Sequence, residues 1–99
     1  MRVVSKARLK QFWELLGRED AEGPLRAWHT HVSSKTISWQ SWGDVKASFA
    51  GASIVGDCIV FNIGGNNYRV VAAIHLNGQR LYILFILTHA EYDKEGWKK

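Results

Sequence analysis

Two polar groups stand out in an otherwise apolar C-terminal half. The stretch VFNIGGNNYRVV, residues 60–71, carries Asn62, Asn66, Asn67 and Arg69, more polar chemistry than a core strand pair requires. The segment THAEYDK, residues 88–94, follows the last apolar run and brings His89, Tyr92 and Lys94. These residue types match the needs of RNA cleavage by internal attack. A ribose 2′-OH that attacks the adjacent phosphate needs a proton acceptor, a proton donor for the leaving 5′-oxygen, and a cation beside the pentavalent phosphorus. An unperturbed imidazole titrates near neutrality, so His89 suits either proton transfer. Tyr92 suits stacking on a base, or proton transfer if its pKa were lowered. Arg69 can hold a phosphate through two parallel N–H···O bonds.

Each of these residues also has a plain structural use. A His–Tyr pair at a strand end commonly packs or caps. Arg69 could bond Glu91 or Asp93, and Asn66 and Asn67 are ordinary turn residues. His29 and His31 are two apart on a predicted helix and do not face together, so no metal site is expected there. The five tryptophans fit packing, with Trp39, Trp42 and Trp97 available to a partner or to bases. Lys6, Arg8 and Lys10 read as a solvated helix start.

The elements that must position the polar groups follow from periodicity. MRVV is a short candidate strand. Ser5 suits a helix start, and Leu9, Phe12, Trp13 and Leu16 then fall on one helix face. A second helix is predicted over about 20–35, with Pro24 in its first turn and Leu25, Trp28 and Val32 as its apolar stripe. Residues 36–53 are mixed, with a short helix suggested by Ser41, Asp44, Val45 and Phe49. Three strands are expected over about 58–63, 68–76 and 79–88, joined by GGNN and by Asn77-Gly78, a strong two-residue hairpin signal. The whole is one α+β domain over residues 1–99, with helices on one face of an antiparallel sheet.

The turns set a register. A two-residue Asn77-Gly78 loop puts Val71 opposite Leu84 and Arg69 opposite Ile86. A four-residue GGNN loop puts Asn62 opposite Arg69. Alternation then assigns Phe61, Ile63, Tyr68, Val70, Leu81, Ile83, Phe85 and Leu87 to the core face. Asn62, Arg69, Val71, Leu84, Ile86 and Thr88 go to the outer face, where the third strand delivers His89, Tyr92 and Lys94 to the same corner. Arg69 and Arg80 are the only charges between Cys58 and Thr88, so a phosphate there would meet donors and no carboxylate.

Composition bounds the rest. Ninety-nine residues make one small domain, and 46% apolar content argues against a disordered chain. A net charge of +4 suggests a polyanionic partner, or simply a basic soluble domain. A lone cysteine, Cys58, fits a reducing cytosol and offers neither a disulfide framework nor a cysteine-based zinc motif. No run is apolar and long enough for a membrane span, and the N-terminus lacks a signal-peptide core.

VFNIGGNNYRVVAAI together with RLYILFILTHAEYDKEGWKK resembles the HigB family of bacterial toxins, within the RelE-like superfamily. The resemblance extends back through AEGPLRAWH to MRVVSKARLKQFWE. It implies a RelE-like fold, two N-terminal helices on a small antiparallel sheet. It implies a metal-independent, cofactor-free endoribonuclease that cuts mRNA, usually on the ribosome, in the cytoplasm. It also implies a HigA-type helix-turn-helix antitoxin, through which alone operator DNA would be contacted. The resemblance falls on Asn62, Asn66 and Arg69 in the first motif and on His89, Tyr92 and Lys94 in the second. It implies Arg69, His89 and Tyr92 as catalytic and Asn62, Asn66 and Lys94 as RNA-binding. In relatives the third strand usually carries Arg or Lys where this chain has Leu84. Leu84 therefore suggests a weakened toxin, an altered chain made safe to express, or one that uses another cation such as Lys94. A non-catalytic RelE-like module that binds RNA or antitoxin is the alternative function, and a purely structural interaction domain is the third.

Overall fold

A computed structural model describes residues 1–4, 6–15, 17–65 and 67–94. The elements in chain order are β1 (Arg2–Val4), α1 (Ala7–Trp13), a 3-10 turn (Glu19–Ala21), α2 (Glu22–Ser33), α3 (Trp42–Ser48), β2 (Ser53–Val55), β3 (Cys58–Ile63), β4 (Tyr68–His75), β5 (Arg80–Thr88) and α4 (His89–Asp93). The strands form one sheet in the order β1-β5-β4-β3-β2. β1 lies parallel to β5 and the other pairs are antiparallel. Among the described residues the fold is α+β, with five strands and four α-helices, against the four strands, two helices and short third helix read from sequence.

The helices form where the apolar spacing requires. Leu9 and Phe12 are the buried face of α1, and Trp13 packs at the core's edge. In α2 the stripe of Leu25, Trp28 and Val32 is buried, and Pro24 sits in the first turn, where a missing N–H costs nothing. Both helices cover one sheet face, against Phe61, Ile63, Tyr68, Val70, Ala72, Leu81 and Ile83. Aromatic edges interlock there, with Trp28 and Phe49 5.4 and 5.2 Å from the Phe61 ring centroid. The Tyr68 hydroxyl donates to the Asp20 carboxylate and so ties β4 to the 3-10 turn. That bond, with burial, raises the Tyr68 pKa. Trp39 is not a partner-facing surface tryptophan: it is 2% exposed, in the core, with its Nε1 donating to Ser48 at 3.1 Å. Trp42 packs against the same core. Ser5, Leu16 and Trp97 lie outside the described residues.

The β3–β4 register is the expected one, with Asn62 opposite Arg69 and Ile63 opposite Tyr68. The β4–β5 register is not. From His75–Arg80 to Ala72–Ile83 the pairing is as expected, but an irregularity follows, and Val71 then faces Phe85 and Arg69 faces Leu87. Leu84 is the extra residue of a β-bulge. One inserted residue flips every later side chain to the opposite face. Phe85 and Leu87 therefore move to the outer face, and Ile86 and Thr88 to the core side. The exposures agree: Phe85 is 42% exposed, whereas Ile86 packs against the core. Leu84 is consequently not the outer-face residue opposite Val71. It lines a groove with Arg8, Phe12, Leu15 and Arg18 of the α1 side, and its carbonyl accepts from the Arg8 guanidinium at 2.7 Å. Leu84 therefore does not stand in the outer-face row next to Arg69 where the turn-derived register had placed it.

The Asn77-Gly78 turn also differs from expectation. The loop is four residues, 76–79, between the His75–Arg80 pair, and the left-handed residue is Gln79, with φ +50°, not Asn77 or Gly78. Tertiary bonds explain it. The Gln79 side chain donates to the Trp39 and Leu76 carbonyls and accepts from Trp39 N–H, while its own carbonyl takes Arg2 N–H. Gln79 thereby clamps the segment before α3 and the start of β1 to the hairpin end. β2 is an unexpected strand. It pairs with β3 across the Gly56-Asp57 turn, where Gly56 has φ +60°.

Candidate active site on the outer sheet face

The β3–β4 hairpin sets the first two polar residues. Gly64 and Gly65 both adopt φ +61°, a left-handed pair that only glycine takes without strain. The Asn67 N–H closes the loop on the Gly64 carbonyl at 3.3 Å. That turn holds Asn62 beside Arg69 on the face away from the helices. The Asn62 amide donates to the Gly51 carbonyl at 3.2 Å. A Cβ at residue 51 would lie 2.8 Å from the Asn62 Nδ2, so glycine there permits the approach.

The same turn anchors α4. The Asn67 carbonyl accepts from His89 N–H at 3.0 Å, so the first residue of α4 is fixed to the hairpin. Thr88 and Glu91 form a reciprocal capping box: Glu91 N–H donates to Thr88 Oγ1 at 3.2 Å, and Thr88 N–H to Glu91 Oε1 at 2.9 Å. Arg18 reaches Glu91 from the opposite side, at 3.2 Å. The bond from the Thr88 backbone, with Arg18 adding to it, holds the Glu91 carboxyl below the usual range.

Anchored in this way, α4 lays Tyr92 over Arg69, with the guanidinium carbon 5.3 Å from the ring centroid. Arg69 is 8% exposed, the one buried charged residue among those described. Its NH1 group donates to the Tyr68 carbonyl at 3.1 Å. Its row on the outer face is Asn62 on β3 and Leu87 on β5, with Val60 and Val71 buried beneath. A guanidinium set against an aromatic face keeps a planar fork whose geometry matches a phosphate.

Glu91 and Asp93, the carboxylates expected as alternative partners of Arg69, are engaged with Arg18 and His89 respectively. His89 Nδ1 lies 2.9 Å from the Asp93 carboxylate, one turn along α4, and both side chains are more than half exposed. An Nδ1–H donated to Asp93 leaves Nε2 as the atom available for proton transfer. Lys94 is exposed at the C-terminal cap of α4. Of the six residues singled out from sequence, Arg69 thus lies beside its register partner Asn62 and against the Tyr92 ring. His89 and Lys94 sit on the helix that carries Tyr92, and Asn66 lies outside the described residues.

Five supporting residues, Thr88, Glu91, Asp93, Gly51 and Arg18, were not given these roles from sequence. The pattern T-x-x-E at Thr88–Glu91 signals a capping box, and the i,i+4 spacing of His89 and Asp93 signals a pair once a helix is assumed. Gly51 and Arg18 have no local signal, because their contacts are tertiary.

Residues 21–95 match the HigB toxin family, described as the RelE-like toxic component of a toxin-antitoxin system. The mRNA interferase toxin HigB of Escherichia coli (strain K12) is 53% identical over 34 residues, 34% of this chain and 33% of that protein. The mRNA interferase HigB of Shigella flexneri matches equally, and that of Escherichia coli O6:H1 is 49% identical over 35 residues, 35% of this chain and 34% of its own length. The matched part spans about a third of each of these relatives. With the family matched across most of its length, the chain belongs to the HigB toxin family, RelE-like toxic components of toxin-antitoxin systems.

Proposed function

We propose that this protein is the toxin of a toxin–antitoxin pair and that it cleaves mRNA at the outer-face corner. The observation that carries the reading is Arg69, buried on the sheet face between Asn62 and Tyr92, at the point where the hairpin turn anchors α4. The names of the partial relatives, mRNA interferases, point the same way.

In this reading the scissile phosphate lies against Arg69, with Asn62, Asn66 and Lys94 contacting the strand. A base takes the proton of the ribose 2′-OH as its oxygen bonds to phosphorus. The bond from phosphorus to the 5′-oxygen breaks, and an acid protonates that oxygen. The ends are a 2′,3′-cyclic phosphate and a 5′-OH. His89, oriented by Asp93, and Tyr92 divide the two proton transfers, and Arg69 stabilises the added negative charge. Positioned donors of these kinds each contribute about 10²–10³-fold or more. Among the described residues no group of three or more His, Cys, Asp or Glu side chains converges on a point, so the reading assigns phosphate stabilisation to cations of the protein and uses no metal.

The reading also includes translation-coupled cleavage on the ribosome, a HigA-type helix-turn-helix antitoxin that alone contacts operator DNA, and a cytoplasmic site of action. No described helix is long and apolar enough to cross a membrane. Regulated expression with transcriptome-wide 5′-end mapping tests it. Growth arrest with new 5′-OH ends inside coding regions is expected, and purified protein should cut RNA in EDTA. Loss of that cutting in EDTA, restored by one divalent ion, would refute the metal-free chemistry. Expression without new ends, with the antitoxin still bound, would establish the non-catalytic binding module instead.

A further inference from the structure

A second basic site lies on the helix side of the molecule, away from Arg69. A cavity of about 600 Å³ opens between α1 and α2. Leu9 and Trp13 form apolar wall, and Lys6, Lys10, Arg26 and His29 line it with cationic or titratable groups. No carboxylate is among the described lining residues. Arg26 is steadied by Glu22 at 2.8 Å and lies over the Trp13 ring at 4.9 Å. The His29 pKa is lowered, first by burial and then by Lys6. Lys6 and Lys10 therefore bring positive charge to a half-buried imidazole that burial already disfavours charging.

Gathering like charges round a partly enclosed space is unfavourable unless an anion fills it. Lys6 and Lys10 are one helical turn apart, about 6 Å along the axis, so both can meet neighbouring phosphates of one strand. The indole and guanidinium beside them offer a flat surface to a base. An acidic protein segment would use the charges but not that flat wall.

We propose that the cavity between α1 and α2 binds the phosphates and a base of a single-stranded RNA segment, as a docking contact separate from the cleavage corner. The contact does not depend on cleavage. On a large RNA it would hold the toxin from the side opposite Arg69, so docking and cutting would be separable by mutation.

The test uses full-length Arg69→Ala protein, which removes the proposed phosphate contact at the corner. Binding of a fluorescein-labelled 12-nucleotide RNA is followed by anisotropy at several salt concentrations. Lys6→Gln/Lys10→Gln should weaken binding at least about tenfold at low salt and reduce the slope of log K against log salt by about 1.4, two single-strand phosphate contacts. Arg2→Gln/Arg80→Gln removes the same charge elsewhere and should leave the slope unchanged. All these side chains are exposed, and circular dichroism checks the fold of each variant. An unchanged slope in the lysine variant, or an equal loss in the control, overturns the proposal. So does lysine-dependent binding of oligoglutamate that is tighter than that of RNA, which would assign the cavity to an acidic protein segment.

Discussion

Replacing Arg69 with alanine should abolish cleavage while leaving the protein folded, and the two effects can be separated by size. The guanidinium is 8% exposed, lies 5.3 Å from the Tyr92 ring centroid and donates to the Tyr68 carbonyl. Truncation forfeits the cation–π contact, about 0.5–2 kcal/mol, together with that hydrogen bond. It also relieves the cost of holding a charge out of water, so the terms largely offset. A net loss of about 1 kcal/mol corresponds to a Tm lower by about 4–8 °C in a domain this small. A domain stable by about 5 kcal/mol or more remains folded at the assay temperature. Losing one preorganised donor to the phosphorane costs about 10²–10³-fold in rate, roughly 3–4 kcal/mol. The catalytic loss therefore exceeds the structural one. Arg69→Lys keeps the charge but loses the planar face and the fork, and should fall between wild type and alanine. Single-turnover cleavage of a defined mRNA on translating ribosomes, with melting curves of each variant, gives both numbers. If folded Arg69→Ala cuts at the wild-type rate and at the same sites, the phosphate does not sit on Arg69 and the corner is not the active site.

Other substitutions probe the supporting contacts. His89→Ala should slow cleavage by about 10²–10⁴-fold, and Asp93→Asn by less, because it misorients the imidazole without removing it; equal rates in all three proteins, measured in the same assay, would exclude the proton-transfer role. Leu84→Arg enters the groove beside Arg8 and Arg18 and not the Arg69 row, so cleavage should change less than about threefold, well short of a full donor's contribution; a tenfold rise would mean that the bulge residue reaches the phosphate. The Glu91 carboxyl is held below its ordinary 4.5, so its contribution to stability is complete above that pH and is lost as pH falls through the lower folded value. The difference between thermal melts of wild type and Glu91→Ala should accordingly be full at pH 7 and shrink as pH falls below 4.5 through the lowered folded value; a constant difference across the range would detach the capping box from the anchoring of α4.

Local chemistry in the sequence was enough for much of this protein. Leu25, Trp28 and Val32 specify their own helix face by spacing alone, and Asn62 opposite Arg69 follows from a four-residue loop whose two glycines take the left-handed positions. The polar corner itself was readable, because Arg69 and the THAEYDK segment are local departures from an apolar pattern, and the family resemblance rested on the same residues. What the tertiary structure decided depends on contacts between distant segments. The bulge at Leu84 is fixed by how β5 meets both β4 and α1, where Arg8 takes the Leu84 carbonyl; no periodicity announces an inserted residue, yet it reverses the facing of Phe85, Ile86, Leu87 and Thr88. The expected two-residue Asn77-Gly78 loop gives way to a longer one with Gln79 left-handed, where the Gln79 side chain is bound to Trp39, forty residues away in sequence. The orientation of α4, and with it Tyr92 over Arg69, rests on the Asn67 carbonyl and on Arg18. The sequence determined which side chains could do chemistry; only the packing of remote segments determined which of them face one another, because a register shift of one residue costs the local chain almost nothing and changes every contact beyond it.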